Sequence, residues 1–438
     1  MTDDRVVMMS AGGYLNLVNP DGGKGLHWTC NVNDELPVKM RQSGPGSEVP
    51  FTLCQLFTNA VQSGGDRPAL WVEKNDTKLC WTWNQYWNDA LRFAKACHQL
   101  NCAPRSAVAI MGYNSPEWAI GFIGGIMNNQ VNTGIYITNQ ADACLYQADH
   151  SEAEIILVET AEHLKRFTVN LDKYDRVKAF VVWGEPSLPA DVSGPRFILW
   201  KDFLQTGLSV KDEVILSKMA VQKPGEVCCL IYTSGTTGNP KGCMLSHDNL
   251  TWETNAMLSH SERERPEAVG PHNRIVSYLP LSHIAGLAFD ILQHMGNVCE
   301  VFFARPDALQ GTLVNTLQWA RPTMFFAVPR VWEKFEERLK EIASTKPGIV
   351  QSISGWAKSY GWANTLAQLH HKDPPAMYSL ANFLILKRIK QQLGLDQCIA
   401  FFFGAAPLKK SSIEYFGSLD MILFNLYGMS ETTGGFTI

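Results

Sequence analysis

The densest collection of chemically useful residues in this 438-residue chain is the run Tyr232-Thr233-Ser234-Gly235-Thr236-Thr237-Gly238-Asn239-Pro240-Lys241-Gly242. Its three glycines let the backbone turn so that successive N–H groups converge on anionic oxygens. Thr233, Ser234, Thr236 and Thr237 add hydroxyl donors, and Lys241 adds a positive charge. A polyphosphate is the expected ligand. The run is not a Walker A loop, because Gly242 follows Lys241 where that motif requires Ser or Thr, and the glycines are not spaced as GxxxxGK. A ligand-free Ser/Thr/Gly turn is the competing reading of such a segment in isolation. Four hydroxyls and a Pro-Lys-Gly ending argue against it.

A phosphate loop needs rigid elements to deliver it. The apolar run 227–232 reads as a buried strand entering the loop, and Ser246-His247 opens a helical pattern over 247–258. The same alternation fills the chain. Strands are expected at 108–111, 154–158, 180–183, 274–279, 299–303, 323–328, 400–403 and 422–426. Helices are expected at 83–100, 115–129, 312–320 and 331–343, and 346–393 reads as two helices separated by Pro374-Pro375. Short β-branched runs alternating with amphipathic stretches imply βαβ crossovers, hence an α/β fold of largely parallel sheets covered by helices. Residues 1–50, rich in Gly, Pro, Asn and Asp, are expected to be irregular, with order beginning near Phe51. A chain of this length should bury more than one packed core.

Composition narrows the function. A hydrophobic content of 45% and a charged content of 18% are ordinary for a globular protein, and a net charge of -4 gives no basic field for nucleic acid. Eleven cysteines in an odd, scattered set show neither metal-ligand spacing nor a disulfide framework, which fits a reducing compartment. The most apolar stretch, 108–131, is interrupted by Asn114, Pro116 and Glu117, so no transmembrane span is expected. Met1 to Arg5 are polar and acidic with no apolar run and cleavage site behind them, and no signal peptide is read there.

Beyond the loop, Leu279-Pro280-Leu281-Ser282-His283, Gly404-Ala405-Ala406-Pro407-Leu408 and Tyr427-Gly428-Met429-Ser430-Glu431-Thr432 follow in order. With these motifs the chain resembles the adenylate-forming, AMP-binding superfamily of acyl-CoA synthetases, luciferase and peptide-synthetase adenylation domains. Leu245-Ser246-His247-Asp248-Asn249, the stretch 277–285, Val328-Pro329-Arg330-Val331-Trp332-Glu333-Lys334, Trp28-Thr29, Asn114-Ser115-Pro116-Glu117-Trp118 and Gly134-Ile135-Tyr136 resemble its bubblegum-type long-chain branch. The likeness covers nearly the whole chain.

The resemblance implies a fold, the large N-terminal domain of adenylate-forming enzymes over 51–438, and a reaction. Fatty carboxylate attacks the α-phosphorus of ATP, and the CoA thiol then attacks the acyl-adenylate. ATP, Mg²⁺ and CoA are the implied cofactors and co-substrates, with a long-chain or very-long-chain fatty acid as partner. Thr233 to Lys241, Gly404 to Ala406 and Tyr427 to Thr432 are the implied nucleotide site, with Thr236, Lys241, Ser430 and Glu431 closest to the chemistry. Glu431 matches the carboxylate that meets Mg²⁺, a hard ion that prefers oxygen. Ser430 stands where a hydroxyl reaches the α-phosphate, and Tyr427 where a ring lies on adenine. His283 and Trp332 are implied at the acyl pocket, Trp332 as a tunnel gate. Taken alone, Tyr427, His283 and Trp332 read equally as core residues, and Glu431 as a carboxylate at a helix start.

Relatives continue into a ribose-binding Asp, a hinge and a small C-terminal domain, none of which lies within these 438 residues. The sequence therefore carries the expectation of an incomplete domain that binds ATP weakly and turns over poorly. The alternatives are a catalytically impaired nucleotide- and fatty-acid-binding protein, or adenylation of another carboxylic acid. A cytoplasmic location is expected, with the basic and aromatic stretch from Trp356 to Lys390 as a candidate peripheral contact with the endoplasmic reticulum membrane.

Overall fold

The computed structural model describes residues 14–15, 29–43, 46–233 and 239–437. In chain order its first strands are β1 (Tyr14–Leu15), β2 (Met40–Arg41), β3 (Pro68–Lys74), β4 (Thr77–Thr82), β5 (Ala107–Met111) and β6 (Val131–Gly134). They are followed by β7 (Ala153–Val158), β8 (Ala179–Val182), β9 (Phe197–Leu199), β10 (Val227–Thr233), β11 (Lys241–Ser246) and β12 (Arg274–Ser277). The last are β13 (Glu300–Phe303), β14 (Met324–Ala327), β15 (Ala400–Gly404), β16 (Leu423–Met429) and β17 (Gly434–Thr437).

Apart from the short β1-β2 pair, the strands form three sheets, ordered β11-β10-β6-β5-β7-β8-β9, β12-β13-β3-β4 and β14-β15-β16-β17. In the first, every pairing is parallel except β10 with β11. Crossover helices make this possible: Pro116–Met127 joins β5 to β6, Ala141–His150 joins β6 to β7, and Ala161–Thr168 joins β7 to β8. Strands sandwiched this way have no polar face, which is why β5 reads Ala-Val-Ala-Ile-Met and is wholly buried. The helix Pro116–Met127 is buried along its entire length. Ser115 caps it by accepting from the Trp118 N–H, and Pro116 occupies the first turn, where its missing N–H costs nothing.

The third sheet divides two cores. Alternation along β14, β15 and β16 sends Phe326, Phe402 and Phe424 to one face, where they meet the main core. Phe325, Phe401, Phe403 and Leu423 point the other way into a second cluster with Trp332, Phe335 and Phe416.

The architecture is the expected mixture of largely parallel sheets and helices. Residues 346–393 fold as two helical segments, Gly348–Leu369 and a second from Tyr378 to Leu393 that widens into a π-helical stretch at Asn382–Leu386. The antiparallel hairpin β3-β4 and strands β6, β9, β11 and β17 go beyond what the sequence pattern marked.

Candidate active site

Strands β10 and β11 pair antiparallel with Thr233 opposite Lys241, so the glycine-rich run is the loop of a hairpin rather than a strand-to-helix connection. Ser234, Gly235, Thr236, Thr237 and Gly238 lie outside the described residues. The two stems, Thr233 and Lys241, line a cleft of about 500 Å³. The hairpin is pinned from outside: Tyr146 donates its hydroxyl to the Pro240 carbonyl at 3.1 Å, and the Tyr232 hydroxyl lies 2.8 Å from Nδ1 of His150. After β11, Ser246 caps the helix His247–Glu264 in a reciprocal box with Asn249, at 3.0 and 3.1 Å. His247 is buried, accepts from the Leu53 N–H, and is pushed down to about 3 by burial.

The second part of the cleft arrives from β16. The strand ends at Met429, the turn Ser430–Thr432 follows, and Thr433 and Gly434 adopt left-handed φ values of 65° and 115° before β17 returns. A Cβ on Gly428 would stand 1.5 Å from the Gly434 carbonyl oxygen, so only glycine permits this closure. Gly428, Met429, Ser430 and Glu431 line the same cleft as Lys241. Glu431 is also close enough to Cys243 of β11 to add to the burial that pushes that thiol up to about 11. Two segments almost 190 residues apart in sequence therefore meet at one cleft.

Of the remaining implied nucleotide residues within the described chain, some reach this meeting point and some do not. Gly404 closes β15 so tightly that a Cβ would reach 2.5 Å from the Leu426 carbonyl oxygen, and Ala405, at φ 66°, lines the cleft. Ala406 and Asn239 are exposed, and Tyr427 is 61% exposed; none of the three is on the cleft wall. Pro240 shares a side recess with Thr233, His283 and Ser430, and Thr432 lines a polar recess behind Glu431.

An apolar wall completes the cleft. His283 begins it, with Nδ1 accepting from the Ala285 N–H at 3.1 Å, which leaves Nε2 to carry the proton of a neutral ring. Burial lowers its pKa. Ile284, Ala288, Phe289, Phe326, Leu426 and Met257 continue the wall. Phe289 belongs to a π-helical stretch, Leu287–Leu292, whose wider turn is frequent at functional sites. Trp332 is not brought to the cleft: it is fully buried on the opposite face of the third sheet, donating Nε1–H to the Phe402 carbonyl at 3.1 Å. That corrects the gate expectation in this structure, where its ring packs against Phe325 and Phe416.

Glu253 was not marked by any motif. The residue is 4% exposed, and its carboxylate accepts from the Gly435 N–H at 2.9 Å and is pushed up to about 7 by burial. It ties the helix His247–Glu264 to the hairpin that carries Glu431. Met257, one turn further on, was equally silent in the sequence; the only signal is its helical spacing from Thr254 and Ser261.

Among the described residues, no group of three or more His, Cys, Asp or Glu could hold a metal unaided. Glu431 could hold a hard divalent cation only together with oxygens supplied by a ligand and water. The cleft can thus accept a charged polyphosphate body at the hairpin end and an apolar body along the wall.

Comparison with known proteins finds relatives in sequence and in fold. A family model described as AMP-binding enzyme matches residues 56–438. The long-chain-fatty-acid–CoA ligase ACSBG2 of Gallus gallus is 39% identical over 94% of this chain and 54% of its own length. The human long-chain-fatty-acid–CoA ligase ACSBG1 is 36% identical over 93% of this chain and 55% of its own. The chain thus spans a little over half the length of these relatives. Among solved structures, the A domain of a carboxylic acid reductase from Segniliparus rugosus, in complex with AMP and a carboxylic acid, superposes with TM-score 0.61 at 16% identity. It matches 87% of this chain and 60% of that one. A fatty acid AMP ligase from Legionella pneumophila gives 0.60 at 17% identity, over 88% of this chain and 56% of its own.

Proposed function

The chain belongs to the AMP-binding enzyme family, and from that premise we propose that it carries the nucleotide and acyl sites of a long-chain fatty acid:CoA ligase. In the reaction a carboxylate oxygen of the fatty acid bonds to the α-phosphorus of ATP, and the bond to the bridging oxygen breaks, releasing diphosphate. The CoA thiolate then bonds to the acyl carbon and AMP departs. One observation carries the reading: Thr233 and Lys241, Ser430 and Glu431, and the apolar wall from Ile284 to Phe289 face one cleft.

The proposed roles follow from chemistry. Thr233, Lys241 and the loop 234–238 between them hold the phosphates; Lys241 supplies the countercharge to the outer ones. Ser430 donates to the α-phosphate, while Glu431 holds Mg²⁺, which neutralises phosphate charge when bound. Gly404, Ala405, Gly428 and Met429 form the floor under the nucleotide, and Tyr427 swings onto adenine from its exposed position. His283 turns its Nε2–H toward the reacting carboxylate, and the wall behind it takes the alkyl chain. CoA enters last. The assignment covers residues 51–438.

Location is part of the proposal. No helix among the described residues is long and apolar enough to cross a membrane. The paired helical segments over 348–393 nevertheless expose Ile349, Leu369, Leu380 and Phe383, an apolar display consistent with peripheral contact at the cytoplasmic face of the endoplasmic reticulum.

The test is calorimetric binding of a non-hydrolysable acyl-adenylate mimic, palmitoyl sulfamoyl adenosine, together with fatty-acid-dependent pyrophosphate exchange. Saturable binding that Ser430→Ala weakens by about tenfold supports the reading, since the hydrogen bond to the sulfamate that stands in for the α-phosphate is lost. Binding without exchange leaves a nucleotide- and fatty-acid-binding protein, and no binding overturns the proposal.

A further inference from the structure

A second cavity of about 510 Å³ adjoins the cleft, and one side chain, Met257, lines both. The two share a floor. Phe326 of β14, Phe402 of β15 and Phe424 of β16 are direct cross-strand partners, so their rings form a single row across the third sheet beneath the helix His247–Glu264. Phe326 lies at the cleft end of the row, and Phe402 and Phe424 floor the second cavity. Phe289 bridges them, with ring centroids 5.5 Å from Phe326 and 5.7 Å from Phe402. The far end is polar: His260, Glu264, Arg265 and His371 rim it, and the Arg265 guanidinium lies 5.6 Å over the Phe424 ring.

Resting on the proposed acyl-activating function, we infer that Met257 is the partition between a proximal and a distal acyl cavity and sets the chain length the protein accepts. The geometry supplies the reasons. A continuous apolar floor leads from the cleft into a space whose polar groups lie on the helices and turns that cover it and not on the sheet, which suits an alkyl tail laid along the floor. Methionine is unbranched with a flexible thioether, so it can rotate out of the way of a methylene chain where a β-branched or aromatic residue could not. Short acids end before Met257, and long ones displace it and continue over Phe402 and Phe424. A solid wall here would have limited the site to the proximal cavity.

The experiment measures affinity for a series of acyl sulfamoyl adenosines, from hexanoyl to tetracosanoyl, on the 438-residue chain and its Met257→Trp and Met257→Ala variants. In the native chain each added CH₂ should raise affinity by about fourfold until the chain reaches the distal rim. Met257→Trp should stop the rise in affinity at the length that fills the proximal cavity. Met257→Ala should bind the longest members more tightly than the native chain. Ala400→Phe, which fills the distal cavity from the sheet side without touching the cleft, should reproduce the early plateau if Met257→Trp does not fold. Native hexanoyl affinity in Ala400→Phe, a position outside the cleft lining, shows that its cleft is intact. Identical length curves for the native chain and a folded plug variant overturn the inference but leave the adenylate reading standing. Failure of every member to bind the native chain overturns both.

Discussion

Glu253 concentrates in one carboxyl the tension between holding the site and folding the chain. Its side chain is buried, yet it accepts the Gly435 N–H that anchors the hairpin bearing Glu431. Burial raises its pKa from 4.5 to about 7, the single backbone hydrogen bond offsetting only part of that cost. A folded-state pKa above the unfolded one means that the folded chain binds the extra proton between those two values. Stability conferred by the neutral acid is therefore complete below the unfolded pKa and is lost as pH rises through the folded one. The window runs from 4.5 to about 7, and its full depth is on the order of 3 kcal/mol. Asp248, pushed up to about 6 by burial in the same recess, acts in the same direction. Glu253→Gln keeps an acceptor for Gly435 but cannot ionise. Denaturant titrations across this range should show stability falling with pH in the native chain and a shallower fall in the variant. Equal slopes would remove Glu253 from the account.

At the scale of elements, the third sheet separates what the sequence reveals from what it hides. The strands 323–328, 400–403 and 422–426 are legible because β-branched and aromatic residues bounded by turn formers are hard to place elsewhere. Which face each ring takes is not legible, since both faces are apolar and alternation gives no polar reference. The choice between gate and core for Trp332 stayed open in the sequence for this reason. Its motif resembles one that gates a tunnel, but the helix Pro329–Ser344 packs on the face away from the cleft. The strand β11 was hidden differently: Lys-Gly-Cys-Met-Leu-Ser has no period-2 pattern, and it becomes a strand only because β10 offers a pairing edge. The motifs at 279–283 and 427–432 predicted a shared site whose assembly depends on glycine closures at 428 and 434 that no periodicity marks. Trp332→Ala should cost about 3–5 kcal/mol from the cavity it leaves, aggravated by the orphaned Phe402 carbonyl. Affinity of the folded variant for palmitoyl sulfamoyl adenosine should stay within about twofold of native, because Phe326 and Phe424 face the other way. A selective loss of long-acyl affinity at unchanged stability would return Trp332 to the tunnel.

The whole molecule is acidic, with a net charge of -4, but its charge is unevenly distributed. Between residues 346 and 393 the chain carries Lys346, Lys358, Lys372, Lys387, Arg388 and Lys390 against Asp373 as the one acid. Two of these cations are engaged within the fold, Lys390 with Asp420 at 2.9 Å and Lys358 over the Tyr415 ring at 4.6 Å, which leaves the others to face outward partners. The same helices expose Ile349 at 73% and Phe383 at 69%, while Leu369, at the end of the first, and His371, from their connection, line the distal cavity. A basic, apolar flank on an acidic body should orient the protein on an anionic bilayer, with the flank toward the lipid and the remaining charge away from it. The electrostatic part of this attraction is screened by salt, with a Debye length of about 8 Å at physiological strength, whereas the apolar part is not. Co-sedimentation with phosphatidylcholine vesicles containing phosphatidylserine should therefore weaken with added salt and persist at a lower level. Phe383→Ser and Ile349→Ser should each reduce that salt-resistant fraction by about tenfold, the equivalent of withdrawing one side chain from hydrocarbon. Neither substitution touches the cleft, so binding of hexanoyl sulfamoyl adenosine in detergent-free buffer should be unchanged. Vesicle binding that vanishes entirely in salt, or that survives both substitutions, would mean that these helices do not meet the membrane and that the acid reaches its cavity from solution.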